Sequence, residues 1–150
     1  MRQPLFSKLL FACLFGMAAC VVSALEFRST AEHGTAFYDA PNPKSKRLFV
    51  ASRGFPVEVL VENKDWLRVR DQSGALAWVE KKALLTKRTV VVSATSAGLH
   101  SNADGKSPLL FQADKGVIFD LVEVGKTGWV KVKHRDGASG FLRIEEVWGI

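Results

Sequence analysis

Trp66-Leu67-Arg68-Val69, followed by Ser73-Gly74 and Trp78-Val79, is the stretch on which the fold turns, because the chain carries it twice. It returns as Trp129-Val130-Lys131-Val132, Asp136-Gly137 and Phe141-Leu142. Working outward, Leu48-Phe49-Val50, Arg53-Gly54 and Val57-Glu58-Val59 reappear as Leu110-Phe111-Gln112, Lys115-Gly116 and Phe119-Asp120-Leu121. The offset is about 62 residues before the turn that precedes the tryptophan and about 63 after it, so one residue is inserted in that turn. A unit of this length is too large for a solenoid repeat and suits a small domain with its own core. Whatever both copies share is scaffold. Whatever one copy has alone is the better functional candidate.

Apolar residues alternate along these stretches, and helix signals are nearly absent. Val57, Val59 and Val61 fall on one face, with Glu58 and Glu62 opposite. Leu67 and Val69 alternate with Arg68 and Arg70, and Val130 and Val132 with Lys131 and Lys133. Period two with β-branched residues predicts half-buried antiparallel strands. Asp71-Gln72-Ser73-Gly74 and Arg135-Asp136-Gly137 lie between paired runs, where Gly74 and Gly137 supply the positive φ of a tight hairpin. Each copy is expected to hold five or so short strands: a leading strand, a long polar loop, a three-stranded meander and a closing segment. The first domain is placed at residues 25–86 and the second at 87–150, with Lys87-Arg88 at the seam. No Gly, Pro or Ser run separates them, so the copies should sit close together. The expected fold class is all-β, with a small barrel or sandwich in each copy.

Residues 1–24 read as a secretory signal peptide. Arg2 and Lys8 flank a basic start, an uncharged apolar run extends from Leu9 to Val22, and Val22-Ser23-Ala24 suits a cleavage site. The run is short for a membrane span. Two alternatives are an uncleaved anchor and lipidation at Cys20, where Met17-Ala18-Ala19-Cys20 loosely resembles a lipobox. Membrane contact is expected only with that lipid. Both cysteines, Cys13 and Cys20, lie inside this segment. The mature chain therefore has no disulfide framework and no cysteine nucleophile. Removing Arg2 and Lys8 takes the 21 basic residues to 19 against 15 acidic ones, a net charge of about +4. No block of like charge is long enough to point to nucleic acid.

The order of these landmarks resembles the bacterial SH3-like domains. A glycine precedes an alternating strand, then come a Trp-x-x-Val strand, a glycine hairpin and an aromatic-aliphatic pair. Gly54, Trp66 to Val69, Gly74 and Trp78-Val79 carry the pattern, and Gly116, Trp129 to Val132, Gly137 and Phe141-Leu142 repeat it. Tyr38-Asp39-Ala40-Pro41 before Leu48-Phe49-Val50 and Arg53-Gly54 looks like a proteobacterial subgroup of exported, tandem members. The resemblance implies two small, strongly bent five-stranded barrels. It also implies binding of cell-wall peptide or an envelope protein, in the periplasm or outside the cell. Members often sit beside a hydrolase, and no hydrolase domain is expected within these 150 residues. The second copy departs at the opening motif, where His100-Ser101-Asn102-Ala103 stands in for Tyr38-Asp39-Ala40-Pro41.

Catalytic chemistry finds little footing. His33, His100 and His134 have no second His, Glu or Cys at metal-ligand spacing. No serine sits in a nucleophile elbow, and there is no phosphate-cradling loop or cofactor fingerprint. The sequence thus predicts no catalytic residue, no metal and no cofactor. His134, beside a hairpin, is expected to be a solvated turn residue.

The aromatics carry the remaining signal. Tyr38, Trp66, Trp78 and Trp129 are the candidate ligand-binding residues, with core packing as the competing explanation for each. Trp78 and Phe141 suit a barrel wall. Trp66 and Trp129 begin strands beside polar turns, where a half-exposed ring is expected. In SH3-like grooves such rings receive an extended peptide. Basic residues gather at Lys44, Lys46 and Arg47, around Lys81, Lys82, Lys87 and Arg88, and near Lys131, Lys133 and Arg135. They read as a solvated exterior or an anion-contacting patch. The expectation is a non-enzymatic binding protein whose partner is peptidoglycan peptide or an envelope protein. The competing readings are an envelope scaffold without a small-ligand groove, and an envelope hydrolase.

Overall fold

The computed structural model describes residues 24–125 and 127–150. The expected signal peptide, Cys20 included, falls outside the described residues apart from Ala24. The first copy contains β1 (Glu26–Thr30), β2 (Thr35–Tyr38), β3 (Arg47–Ala51), β4 (Pro56–Asn63), β5 (Trp66–Arg70), β6 (Leu76–Glu80) and β7 (Leu84–Leu85). The second repeats them as β8 (Thr89–Val92), β9 (Ser96–His100), β10 (Leu109–Asp114), β11 (Ile118–Val124), β12 (Trp129–Lys133), β13 (Ser139–Arg143) and β14 (Val147–Trp148). The pairing order is β3-β2-β6-β5-β4-β1-β7 in one sheet and β10-β9-β13-β12-β11-β8-β14 in the other, so the duplication extends to the topology.

Among the described residues each copy has seven strands rather than five or so. The leading segment divides at residues 31–34, where the Thr35 hydroxyl donates to the Glu32 carbonyl at 2.9 Å. β1 and β2 then occupy separate places in the sheet. The closing segment turns once through a 3₁₀ turn, Lys81–Ala83, before the two residues of β7 pair with β1. The expectation of a barrel goes further than the ladders do. The order runs from β3 to β7, and from β10 to β14, with no pairing of the end strands to each other.

Alternation holds where strands pair regularly. Leu67 and Val69 of β5, and Val130 and Val132 of β12, are buried, while the intervening Arg68 and Lys131 are exposed. They join Phe37, Val57, Ala77 and Val79 in the first core, and Val90, Leu99, Phe119 and Leu142 in the second. Each such side chain contributes roughly 1.5–3 kcal/mol through burial. The hairpin glycines take the expected conformation, φ +85° at Gly74 and +99° at Gly137.

Alternation fails in β4. Val61 is 48% exposed, although the period places it with Val57. The register of β4 on β5 shifts between Val59 and Val61, and that of β11 on β12 between Leu121 and Glu123. The bulge turns the outer half of β4 away from the core, so Val61 is left outside. Glu58, expected on the solvent side, is buried. Its carboxylate accepts two hydrogen bonds from cross-strand Arg70, from Nε at 2.9 Å and Nη2 at 2.6 Å. A carboxylate so placed needs that partner, because an unpaired buried charge is costly.

The seam explains why β8 is buried at all four residues. Val90 and Val92 enter the second core. Thr89 and Val91 alternate to the other side, where the first copy lies. The Thr89 hydroxyl donates to the Gly54 carbonyl at 2.6 Å, and that of Ser29 to the Lys87 carbonyl at 2.8 Å. Phe27 meets Trp148 edge to face at 5.1 Å, and the Arg88 guanidinium stands 5.1 Å from the Phe27 ring. By the 62-residue offset Phe27 and Ser29 match Thr89 and Val91, so the same face of the same strand serves the seam in both copies. A run of apolar residues such as Val90-Val91-Val92 is the sequence mark of a strand covered on both faces.

Candidate functional site

The face of the first sheet opposite its core gathers three of the four candidate aromatics. On β5 and β6, Leu67 and Val69 oppose Val79 and Ala77, and all four point inward. Trp66, Arg68, Trp78 and Glu80 therefore point outward, with Trp66 opposite Glu80 and Arg68 opposite Trp78. β2 adds Tyr38 opposite Trp78. Its neighbour Phe37 takes the core side, fully buried. The Tyr38 ring stands edge-on to Trp66 at 5.5 Å, within the range favoured by aromatic quadrupoles. Trp66 and Trp78 stay half-buried and Tyr38 is 7% exposed. Trp78 is thus no part of the inner wall.

The second copy rebuilds this face. His100 stands edge-on to Trp129 at 5.4 Å, and Phe141 is opposite both His100 and Lys131. Replacing Tyr38 by His100 conserves the edge-to-face geometry. The difference lies one strand away. Arg143 takes the place of Glu80, and its guanidinium lies 4.9 Å from the Trp129 ring centroid. The same group reaches the loop at Gly105, where a Cβ would come within 2.8 Å of Nη2. Trp129, expected to be half-exposed, is buried at 7% under this cover. Beside Trp66 the equivalent Glu80 carboxylate instead pairs with Lys82 at 2.8 Å.

Most basic residues around the seam have partners. Lys81 pairs with Glu62, whose carboxyl is held below its usual range by the Lys81 hydrogen bond and charge. Lys82 is raised above the usual lysine range by its bond to Glu80. Lys87 pairs with Asp120 at 2.8 Å. Lys131 and Lys133 share an exposed face of β12. His134 is half-buried rather than solvated. Its ring packs 5.3 Å from Phe119 and 5.7 Å from Phe111, and its Nδ1 lies 3.0 Å from an Asp136 oxygen. The Asp136 carboxyl is lowered, first by accepting the Ala138 backbone N–H and then by His134.

Sequence reasoning missed Arg143, Glu58 with Arg70, and two clefts. Cross-strand register would have paired Glu58 with Arg70. One cleft, about 570 Å³, lies over Glu58, Arg70 and Trp148. The other, about 870 Å³, runs between the copies along the turns at Arg53-Gly54 and Lys115-Gly116. Among the described residues no group of three or more His, Cys, Asp and Glu is placed to hold a metal ion. Nor is any helix among them long and apolar enough to cross a membrane.

Comparison with known proteins follows the duplication. The bacterial SH3 domain family matches twice, at residues 31–85 and 93–149. No curated protein matches the chain. Among solved structures it is similar to NlpC2 from Trichomonas vaginalis, at 15% identity and a TM-score of 0.37, covering 85% of this chain and 49% of that one. It is also similar to an NlpC/P60 family protein from Bacillus cereus, at 16% identity and a TM-score of 0.38, covering 81% and 55%. The chain thus spans about half the length of these structures.

Proposed function

This chain belongs to the bacterial SH3 domain family, and we propose that it is a non-enzymatic binding protein of the bacterial envelope. It holds cell-wall peptide or an envelope protein on the outer face of its first copy. Exported by its signal peptide, as in the proteobacterial tandem subgroup it resembles, it acts in the periplasm or outside the cell. Each copy is taken as a strongly bent barrel of the kind the family resemblance implies. The observation that carries the reading is the contrast at Trp66. The same edge-to-face aromatic pair exists in both copies, but among the described residues only Trp129 has a guanidinium over it. Trp66 and Trp78, with the buried Tyr38 ring set edge-on behind Trp66, leave an aromatic ledge open to a chain laid across it, flanked by exposed Arg68. Trp129 belongs to the fold of its own copy.

A pull-down on purified peptidoglycan tests this. Truncation of an aromatic anchor typically loses about 2 kcal/mol, or roughly thirty-fold in affinity. Trp66→Ala should show that loss while remaining folded. Retention unchanged in Trp66→Ala would remove the ledge from the account. No retention of the wild type by wall material, with capture of one envelope protein instead, would select the protein-binding form. Clearing of wall material in a zymogram would select a hydrolase.

A further inference from the structure

The cleft between the copies is built from the same turn used twice. Arg53-Gly54 joins β3 to β4, and Lys115-Gly116 joins β10 to β11, at the 62-residue offset. Packing of the copies across β8 brings both turns to one cavity of about 870 Å³, a size common for ligand sites. Lys87 of the seam and Arg135 of the β12–β13 hairpin line it too, with Glu32 and Asp120. Four cations against two carboxylates leave a net charge of +2 in the cleft. Arg53 is held by Glu32 at 2.7 Å and Lys87 by Asp120 at 2.8 Å. Lys115 and Arg135 have no carboxylate partner among the described residues, and both are exposed. Half-buried Val117 and Ile118 supply apolar wall beside them, which concentrates the field of the cations.

We propose that this cleft is an anion site for a short acidic peptide bearing two carboxylates, one for Lys115 and one for Arg135. Two features favour carboxylates over a phosphate. The unpaired cations come from separate loops, and a peptide can bring a separate carboxylate to each. The turn amides, which would form a phosphate nest, are already used inside the fold. Gly54 N donates to the Thr30 carbonyl at 2.9 Å, Gly116 N to Val92 at 2.9 Å, and Lys115 N to Thr95 at 3.1 Å. Recognition is left to side-chain charge, and Arg135 supplies the planar fork that fits a carboxylate. The site does not depend on the aromatic ledge, since Tyr38, Trp66 and Trp78 are not in its wall.

The test is an amide chemical-shift titration of the full mature chain with N-acetyl-glutamyl-alanine, which has two carboxylates and no amine. The amides of Gly54, Gly116, Ile118 and Asp120 should shift together, with binding weakened as salt is raised. Lys115→Ser with Arg135→Ser should lower the affinity about tenfold or more with a wild-type melt, and Lys115→Glu alone should act in the same direction. Trp66→Ala should leave the titration unchanged. Shifts elsewhere, an affinity indifferent to both variants, or loss of binding in Trp66→Ala would overturn the site. Tighter binding of inorganic phosphate at the same amides would overturn its assignment to carboxylates.

Discussion

In the first copy the fully buried ring, Phe37, comes from β2 and shares its core with Val57 of β4; in the second, the matching positions hold Leu99 and Phe119. Large and small have changed places. The partner ring follows: Phe49 stacks on Phe37 at 4.6 Å, and its counterpart Phe111 stacks on Phe119 at 6.2 Å. The large ring moves between strands and the pair grows by only one methylene, Leu99 against Val57, a near-conserving exchange that close-packed interiors tolerate far better than a large net loss or gain. The outer face changes in another way. There the aromatic pair is kept, and one charge, Glu80 against Arg143, decides whether the indole is covered. Core differences between the copies are compensated within each copy. The difference on the outer face is not, and for that reason the proposed binding face is placed there.

The largest expected effect tests the core half of this comparison. Phe37→Ala and Phe119→Ala should each cost about 3–5 kcal/mol in denaturant melts. Phe37→Leu with Val57→Phe, which copies the second core into the first, should cost less than the sum of its single changes, by roughly 0.5–3 kcal/mol of coupling. Strict additivity would show that the exchange of sizes is accidental.

The two tryptophans sharpen the outer-face half. Trp129→Ala, at a buried ring, should approach the cost of a core truncation. Trp66→Ala should fall well below it in the same melts. Equal losses would mean that Trp66 is as structural as Trp129.

Exchanging the charges is a smaller change. Glu80→Arg should lay a guanidinium over Trp66 and shield it from acrylamide quenching. Arg143→Glu should expose Trp129 and forfeit about 0.5–1 kcal/mol of cation–π attraction. Wall retention should fall in Glu80→Arg if cover is what separates the copies.

The smallest effect concerns pH. Asp136 has a depressed carboxyl in the folded protein, from the Ala138 amide and then His134. Its contribution is present above its unfolded pKa and is lost as pH falls through the lower folded value. The Ala138 amide should therefore titrate with a midpoint below the usual aspartate range, and Asp136→Asn should abolish that titration.

Much of this could be read from the chain itself. The duplication, the all-β class, the hairpins at Gly74 and Gly137 and the buried faces of β5 and β12 follow from spacing and alternation. These signals are local: two residues apart on a strand means the same side. The candidates Tyr38, Trp66 and Trp78 were legible as a set because they recur in position with His100, Trp129 and Phe141.

Tertiary structure decided what depends on residues far apart in sequence. The register slip after Val59 puts Val61 outside, against the period, because a bulge is set by the partner strand. Glu58 is buried because Arg70 lies opposite it, and Trp129 because Arg143 does. The cleft exists because docking across β8 turns two equivalent loops toward one space. Alternation states which side of a strand a residue takes. Only the pairing of strands and the docking of sheets states what waits on that side, and hence whether a ring becomes core, cover or open surface.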